Sequence, residues 1–313
     1  MSSTLFWGLA GLMGAGLGAY LLITVLVWHR VFVPPRPSLP ERFLFTPAEF
    51  QADYEELNLI TADGIGFGAW FFRQPGTPQV IVVSPSHRSN RERFLGVSIA
   101  LWRKGFNVLL YAPRGMAGSE RAILTLGVNE VWELEAVLEY VRGRIRDPQI
   151  GLLGYSMGAA VSLLVAARDP ALSALVLDSP FGDAGQFLSE NIGRRLHLPG
   201  APFRAAMALW LWLRHGVRLS NSSPRRVLAQ VEPLPLFFIQ GGDDRITTAR
   251  QVRQLYDAYR GPREIWLVPG AAHCAAYWVD RPLYVERVAG FFARQLGLKS
   301  SRLRLVTEED EHP

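Results

Sequence analysis

Short, largely apolar runs alternate with amphipathic stretches along most of the chain. Val80 to Val83, Asn107 to Tyr111, Ile150 to Leu153, Ala174 to Leu177, Leu236 to Ile239 and Glu264 to Val268 are the runs. Segments apolar on both faces suit strands of a parallel sheet covered by helices. Before them, Leu57 to Thr61 and Phe67 to Arg73 flank Asp63-Gly64 and predict a hairpin. Helices are predicted near 92–104, 129–146, 157–169, 248–260 and 282–296. In the second, Val131, Leu134, Val137, Leu138 and Val141 form one helical stripe. The alternation predicts an α/β domain, a mostly parallel, doubly wound sheet of about eight strands.

Two segments break the pattern. Leu5 to Trp28 carries no charge over about 24 residues, or roughly 36 Å of helix, enough to span a bilayer. A signal peptide would want a basic start and a shorter apolar stretch, and MSST has no basic side chain. The reading is a single-pass transmembrane helix, with Gly8, Gly11, Gly14 and Gly18 at spacings that would let a second copy approach as a homodimer. His29, Arg30, Arg36 and Arg42 follow the helix, which places the bulk of the chain in the cytoplasm. The prolines of VPPRPSLP predict an extended spacer. The second segment is a long insertion between the strands at 174–177 and 236–239. Within it, FRAAMALWLWLR (Phe203 to Arg214) reads first as a cap helix packing Trp210 and Trp212 into its own core. Its other reading is a lid whose apolar face covers an acyl site or touches the bilayer. The expected division is an anchor over 1–30, a linker over 31–54, a domain over 55–298 with a cap insertion at about 182–232, and a polar tail over 299–313.

Composition narrows the chemistry. The net charge is +5, spread along the chain and mixed with acids, so a basic surface near an anionic membrane fits better than nucleic acid. Cys274 is the lone cysteine, which excludes a disulfide within the chain, and no CxxC or His/Cys cluster suggests a metal. No cofactor is expected.

One short stretch carries the chemistry. QIGLLGYSMGAA ends an apolar strand and begins a small-residue helix, with Ser156 between Gly154 and Gly158. Such a turn lifts the hydroxyl above the sheet edge, at a helix N-terminus. A serine needs a base, and the base an orienting acid, in the chain order Ser, Asp or Glu, His. Of six histidines, only His273 and His87 follow sheet strands, and His273 has the right order. QGGDDRIT follows the strand at 236–239 and supplies the acid. The oxyanion hole needs two N–H donors. One is the backbone N–H of Met157; the other comes from the loop Ser84 to Arg91.

At this point the chain resembles the α/β-hydrolase family of serine esterases, lipases, thioesterases and peptidases, over about residues 55–297. The resemblance rests on GYSMG at 154–158, GGDDRIT at 241–247, GAAH at 270–273, YAPRGMAGSE at 111–120 and the helix stretch at 125–141. It implies the acid is Asp244, with Asp243 the close competitor and Asp178, at the end of the sixth strand, a position used in some relatives. Where the family often reads H-G-x-x-x-N-R, this chain has Pro85 and Ser86, then Asn90 and Arg91. That departure leaves the second oxyanion donor between Ser86 and His87, and the His87 side chain is expected to be a structural contact or pocket wall rather than a catalyst. Arg114 is expected to brace the loop after the fourth strand, and Cys274 to be a small buried residue. The implied activity is hydrolysis of a carboxylic ester or of a lipid or thioester acyl bond by a membrane-anchored serine hydrolase. A peptidase of the same fold and a silent membrane scaffold are the alternatives.

Overall fold

The computed structural model describes residues 3–35, 46–231 and 233–298. Most of the expected proline spacer (36–45), Glu232 and the expected tail (299–313) lie outside the described residues. The chain opens on α1 (Ser3–Phe32), an uninterrupted helix. Eight strands follow: β1 (Glu55–Ile60), β2 (Gly66–Phe72), β3 (Gln79–Ser84), β4 (Asn107–Tyr111), β5 (Gln149–Tyr155), β6 (Leu172–Asp178), β7 (Leu236–Gly241) and β8 (Arg263–Val268). They form one sheet in the order β1-β2-β4-β3-β5-β6-β7-β8. β2 runs antiparallel to both of its neighbours, β1 and β4, and β3 to β8 are parallel to one another. This is the α/β-hydrolase fold with an eight-stranded, mostly parallel sheet.

The burial of each strand follows its place in the sheet. β3 and β4 are buried at every residue, and β5 at all but Gln149. The edge strand β1 alternates half-buried and exposed residues along its length. A central strand must satisfy apolar contacts on both faces, while an edge strand keeps one face wet.

Between the strands lie α2 (Leu95–Arg103), α3 (Val131–Arg144), α4 (Met157–Ala166), α5 (Ala184–Leu196), α6 (Gly200–His215), α7 (Pro224–Val227), α8 (Ala249–Ala258), α9 (Ala276–Val279) and α10 (Arg281–Leu296). One core, against α3, α4, α8 and the insertion, includes Leu134, Leu138, Leu163 and Leu255. The other, against α2 and α10, includes Leu101, Phe291 and Phe292. Every residue of α4 is buried. Its small side chains suit that wedge between the sheet and the cap.

The insertion carries α5 and α6, and here the first reading of α6 is corrected. Phe203, Met207 and Leu211 are the buried stripe, while Trp210 and Trp212 are 57% and 47% exposed. Positions i, i+4 and i+8 share one face of a helix, and the two tryptophans fall outside it. α5 had no separate expectation; its sequence is largely polar, and only four of its residues are buried.

α1 is long and apolar enough to cross a membrane, a test that a signal sequence also meets. Its last residue is not peripheral. Phe32 is fully buried in the larger core, and its carbonyl accepts a hydrogen bond from the Leu124 N–H (2.8 Å). Tyr20 donates to the Pro202 carbonyl at the start of α6 (3.0 Å).

The loop after β4 is held by Arg114, which is almost wholly buried. Its guanidinium donates to Glu133 on α3 (2.6 Å) and, as a fork, to Asp63 in the β1–β2 turn (2.9 and 3.1 Å). Removing one partner of a buried ion pair strands the other. Arg114→Leu is therefore expected to cost about 3–5 kcal/mol of stability, read by urea unfolding of the full chain. A loss below about 1 kcal/mol would show that the pair acts like a surface one.

Candidate active site

β5 delivers Ser156 at its carboxyl end. Ser156 has φ 51° and ψ −107°, a strained conformation for a residue with a side chain. Two close approaches hold the turn. A Cβ on Gly154 would stand 2.5 Å from the Ala159 Cα, and one on Gly158 would stand 2.1 Å from the Ser84 carbonyl oxygen. Both contacts are to backbone, so no side chain can move aside. The Ser156 N–H donates to the Asp178 carbonyl across the β5–β6 boundary (2.8 Å).

The Ser156 hydroxyl lies 2.9 Å from His273 Nε2. His273 Nδ1 lies 2.8 Å from Asp244 Oδ2. Three residues distant in the chain thus form one hydrogen-bonded line, because β5, β7 and β8 end on the same side of a parallel sheet. Asp243 is exposed and takes no part; its N–H donates to the Ala271 carbonyl (2.9 Å). The side chain of Asp244 is fully buried, and it closes its own turn by accepting from the N–H groups of Ile246 (2.7 Å) and Thr247 (2.9 Å). Burial pushes its carboxyl up. The hydrogen bond and charge of His273 and the two backbone donors outweigh that and hold it below the usual carboxylate range.

Thr247 was not singled out from sequence. Its hydroxyl donates to Asp244 Oδ2 (2.9 Å) and sits 3.3 Å from His273 Nδ1. It therefore holds Oδ2 of the carboxylate while the backbone donors hold Oδ1. The signal was present in GGDDRIT, where the threonine follows Asp244 by the three residues that let a side chain reach back over a turn.

Asp178 stands apart from this line. Its carboxylate accepts from the hydroxyls of Ser179 (2.9 Å) and Tyr284 (3.0 Å), and Tyr284 also reaches the Tyr155 hydroxyl (3.0 Å). It contributes through its backbone carbonyl, which braces Ser156. Cys274 is buried below the histidine, with its N–H 3.3 Å from Ser179 Oγ, and burial pushes its thiol up.

Met157 is the first residue of α4, so its N–H has no acceptor within the helix. The loop after β3 lies against the same turn, as the Gly158 contact with Ser84 requires. Pro85 has no N–H, which leaves Ser86 and His87 as the nearest donors on that loop. The Ser86 hydroxyl pairs with that of Ser89 (2.7 Å), tightening the bend. The ring nitrogens of His87 are buried beside the Val31 backbone of α1. Burial and the neighbouring Arg88 push the ring down to about 4, so it is neutral near pH 7, as a wall would be. Arg88 in turn donates to the Val33 carbonyl. The end of α1 thus packs directly on this loop. Arg91 anchors the far end, stacked 3.8 Å above the Trp70 ring and paired with Glu56 (3.0 Å).

The arrangement places a hydroxyl, an imidazole and an ionised carboxylate in line, beside a free helix N-terminal N–H. Known proteins agree with the fold. A family model described as the alpha/beta hydrolase fold matches residues 76–226. The alpha/beta hydrolase domain-containing protein WAV2 of Arabidopsis thaliana is 29% identical, over 92% of this chain and 95% of that protein. Monoglyceride lipase of Mus musculus is 30% identical over 47% of this chain and 48% of its own length. The solved esterase Pf2001 of Pyrococcus furiosus superposes with a TM-score of 0.68 at 22% identity, covering 85% of this chain and 99% of that one. The chain therefore has the α/β-hydrolase fold and is similar to that family over residues 76–226.

The buried Asp178 generates a pH prediction. Burial raises its carboxyl from 3.8 to about 6, against the pull of the Ser179 and Tyr284 hydroxyls. A carboxyl with a raised folded-state pKa holds its proton more tightly when folded. Its contribution to stability is therefore greatest below the unfolded value of 3.8 and is lost as pH rises through about 6. Asp178→Asn cannot ionise. The unfolding free energy of the wild type minus that of the variant should fall between about pH 4 and pH 7; a difference that is flat in pH would contradict this account of Asp178.

Proposed function

We propose that this chain is a membrane-anchored serine hydrolase that cleaves a carboxylic ester or a lipid acyl bond through an acyl-enzyme. The observation that carries the reading is the line from Ser156 through His273 to Asp244, at 2.9 and 2.8 Å. His273 Nε2 takes the Ser156 proton as the oxygen attacks the acyl carbonyl. The Met157 N–H and a donor from the Ser86–His87 stretch receive the charge on the carbonyl oxygen. Asp244 keeps the imidazole oriented and stabilises its cation without itself being protonated. The imidazolium then protonates the departing alcohol. Water, deprotonated by the same imidazole, releases the acid and restores Ser156.

The packing of α1 supports an anchor over a removable signal. Phe32 fills the core and its carbonyl is a hydrogen-bond acceptor, so cleavage after α1 would open a cavity in the folded domain. His29 and Arg30 close the helix, and the positive-inside rule supports a cytoplasmic domain. An anchored enzyme meets substrates that partition into the membrane. The similarity to a protein named monoglyceride lipase makes monoacylglycerols the first substrates to test.

The test is turnover of a p-nitrophenyl ester series and of monoacylglycerols by the full-length protein. Ser156→Ala should abolish turnover with its unfolding curve unchanged. Asp244→Asn should lower kcat by about 10⁴-fold, because the wrong tautomer of His273 then faces the serine. Wild-type rates in a folded Ser156→Ala protein would end the proposal.

A further inference from the structure

A concave site lies away from Ser156. It is a cleft of about 350 Å³ between the start of α3, the end of α4 and the turn that leaves α6. Arg168, Arg218, His215, Asn129, Asn221 and Trp132 supply its polar and aromatic lining, and no carboxylate does. Arg218 makes no ion pair among the described residues. The partner of Arg168 is Glu135 at 3.4 Å, in a pair that is 60% and 40% exposed and so weakly held. The charge in the cleft is thus positive and largely uncommitted.

Its location gives that charge a purpose. His215 stacks nearly parallel on Trp28 of α1, at 6.2 Å and 10°. Trp28 also meets Trp210 edge-on at 6.3 Å. Trp28 is followed by His29 and Arg30 at the end of the apolar helix, the level at which tryptophan and basic side chains sit in a bilayer. On the same cap helix Leu209, Trp210, Trp212 and Leu213 are all exposed. An apolar belt beside a spanning helix, with arginines just beyond its end, matches the order of acyl chain and headgroup in one leaflet.

We propose that this cleft binds the headgroup phosphate of an anionic glycerophospholipid of the membrane that α1 spans, with the acyl chains lying along the exposed sides of α1 and α6. Arg168 and Arg218 face the phosphate, Asn129 and Asn221 donate to it and to headgroup hydroxyls, and the Trp28–His215 stack forms the wall at the lipid boundary. The site seats the cap at the bilayer surface and lies apart from Ser156. The inference rests on α1 being a spanning helix.

The test uses the full chain in nanodiscs of phosphatidylcholine with or without phosphatidylglycerol. Lipid retained after detergent extraction is quantified by mass spectrometry for wild type, the Arg168→Ser/Arg218→Ser double variant and the control Arg146→Ser, whose side chain is 97% exposed. Phosphatidylglycerol should be enriched over phosphatidylcholine on the wild type and the control. The double variant should lose that enrichment by roughly tenfold or more, with hydrolysis of a soluble ester unchanged. Equal retention by wild type and double variant would overturn the site. So would Arg218-dependent binding of inorganic phosphate to protein in pure phosphatidylcholine with no preference for phosphatidylglycerol, which would make the ligand a soluble phosphate. Alkaline carbonate extraction of native membranes separates the premise from the site: release of the chain would refute the spanning helix itself, whereas retention alongside equal lipid binding refutes the cleft alone.

Discussion

The structure depends on one backbone contact. α4 can start directly from β5 because Gly158 lets the helix lie against the Ser84 carbonyl at the end of β3. Gly154 gives the same freedom on the strand side, against Ala159. With both approaches in place, Ser156 is forced to positive φ and its hydroxyl stands clear of the sheet. The strain is borne by surroundings that cannot yield: α4 is buried along its whole length, and the Ser156 N–H is held by β6. The same contact sets the loop after β3 beside the Met157 N–H. Position of the hydroxyl and position of the neighbouring donors are therefore one property of the turn.

Around that turn the remaining polar groups act by restraint. Asp244 is fixed by two backbone donors, Thr247 and His273, so its charge is compensated where it is buried. Asp178, equally buried, is matched by hydroxyls alone, and its carboxyl is pushed up instead. Two aspartates close to one histidine are thus shifted in opposite directions from the ordinary carboxylate range because their partners differ. α1 adds a restraint from outside the sheet. Through Phe32, Tyr20 and the Val33 that follows the helix, it touches the core, the cap and the loop after β3, so the apolar helix is part of the domain's packing.

Much of this was legible in the sequence, for a physical reason. Central strands such as β3 and β5 are buried on both faces, so their apolar runs stand out, and all eight strands were expected near their observed places. Ser156, His273 and Asp244 were legible because glycine-rich turns at strand ends mark where a sheet presents side chains. The choice between Asp243 and Asp244 needed the resemblance, since adjacent residues in a turn point apart and sequence alone does not say which is inward. Trp210 and Trp212 were misread because α6 is apolar on most of its surface, and only packing selects the Phe203, Met207 and Leu211 face. The contacts of α1 were invisible for a similar reason: an apolar helix end has the same composition whether it meets lipid or a protein core. Thr247 and the Ser179–Tyr284–Tyr155 cluster are common residues whose roles arise only from distant neighbours.

The most direct measurement is labelling of the full-length protein in bilayers with a fluorophosphonate, followed by peptide mass spectrometry. An activated serine in an intact hydrogen-bonded line predicts a single adduct on Ser156, lost in His273→Ala. A folded protein that takes no label, or takes it on another residue, would contradict the assignment of Ser156 as the nucleophile.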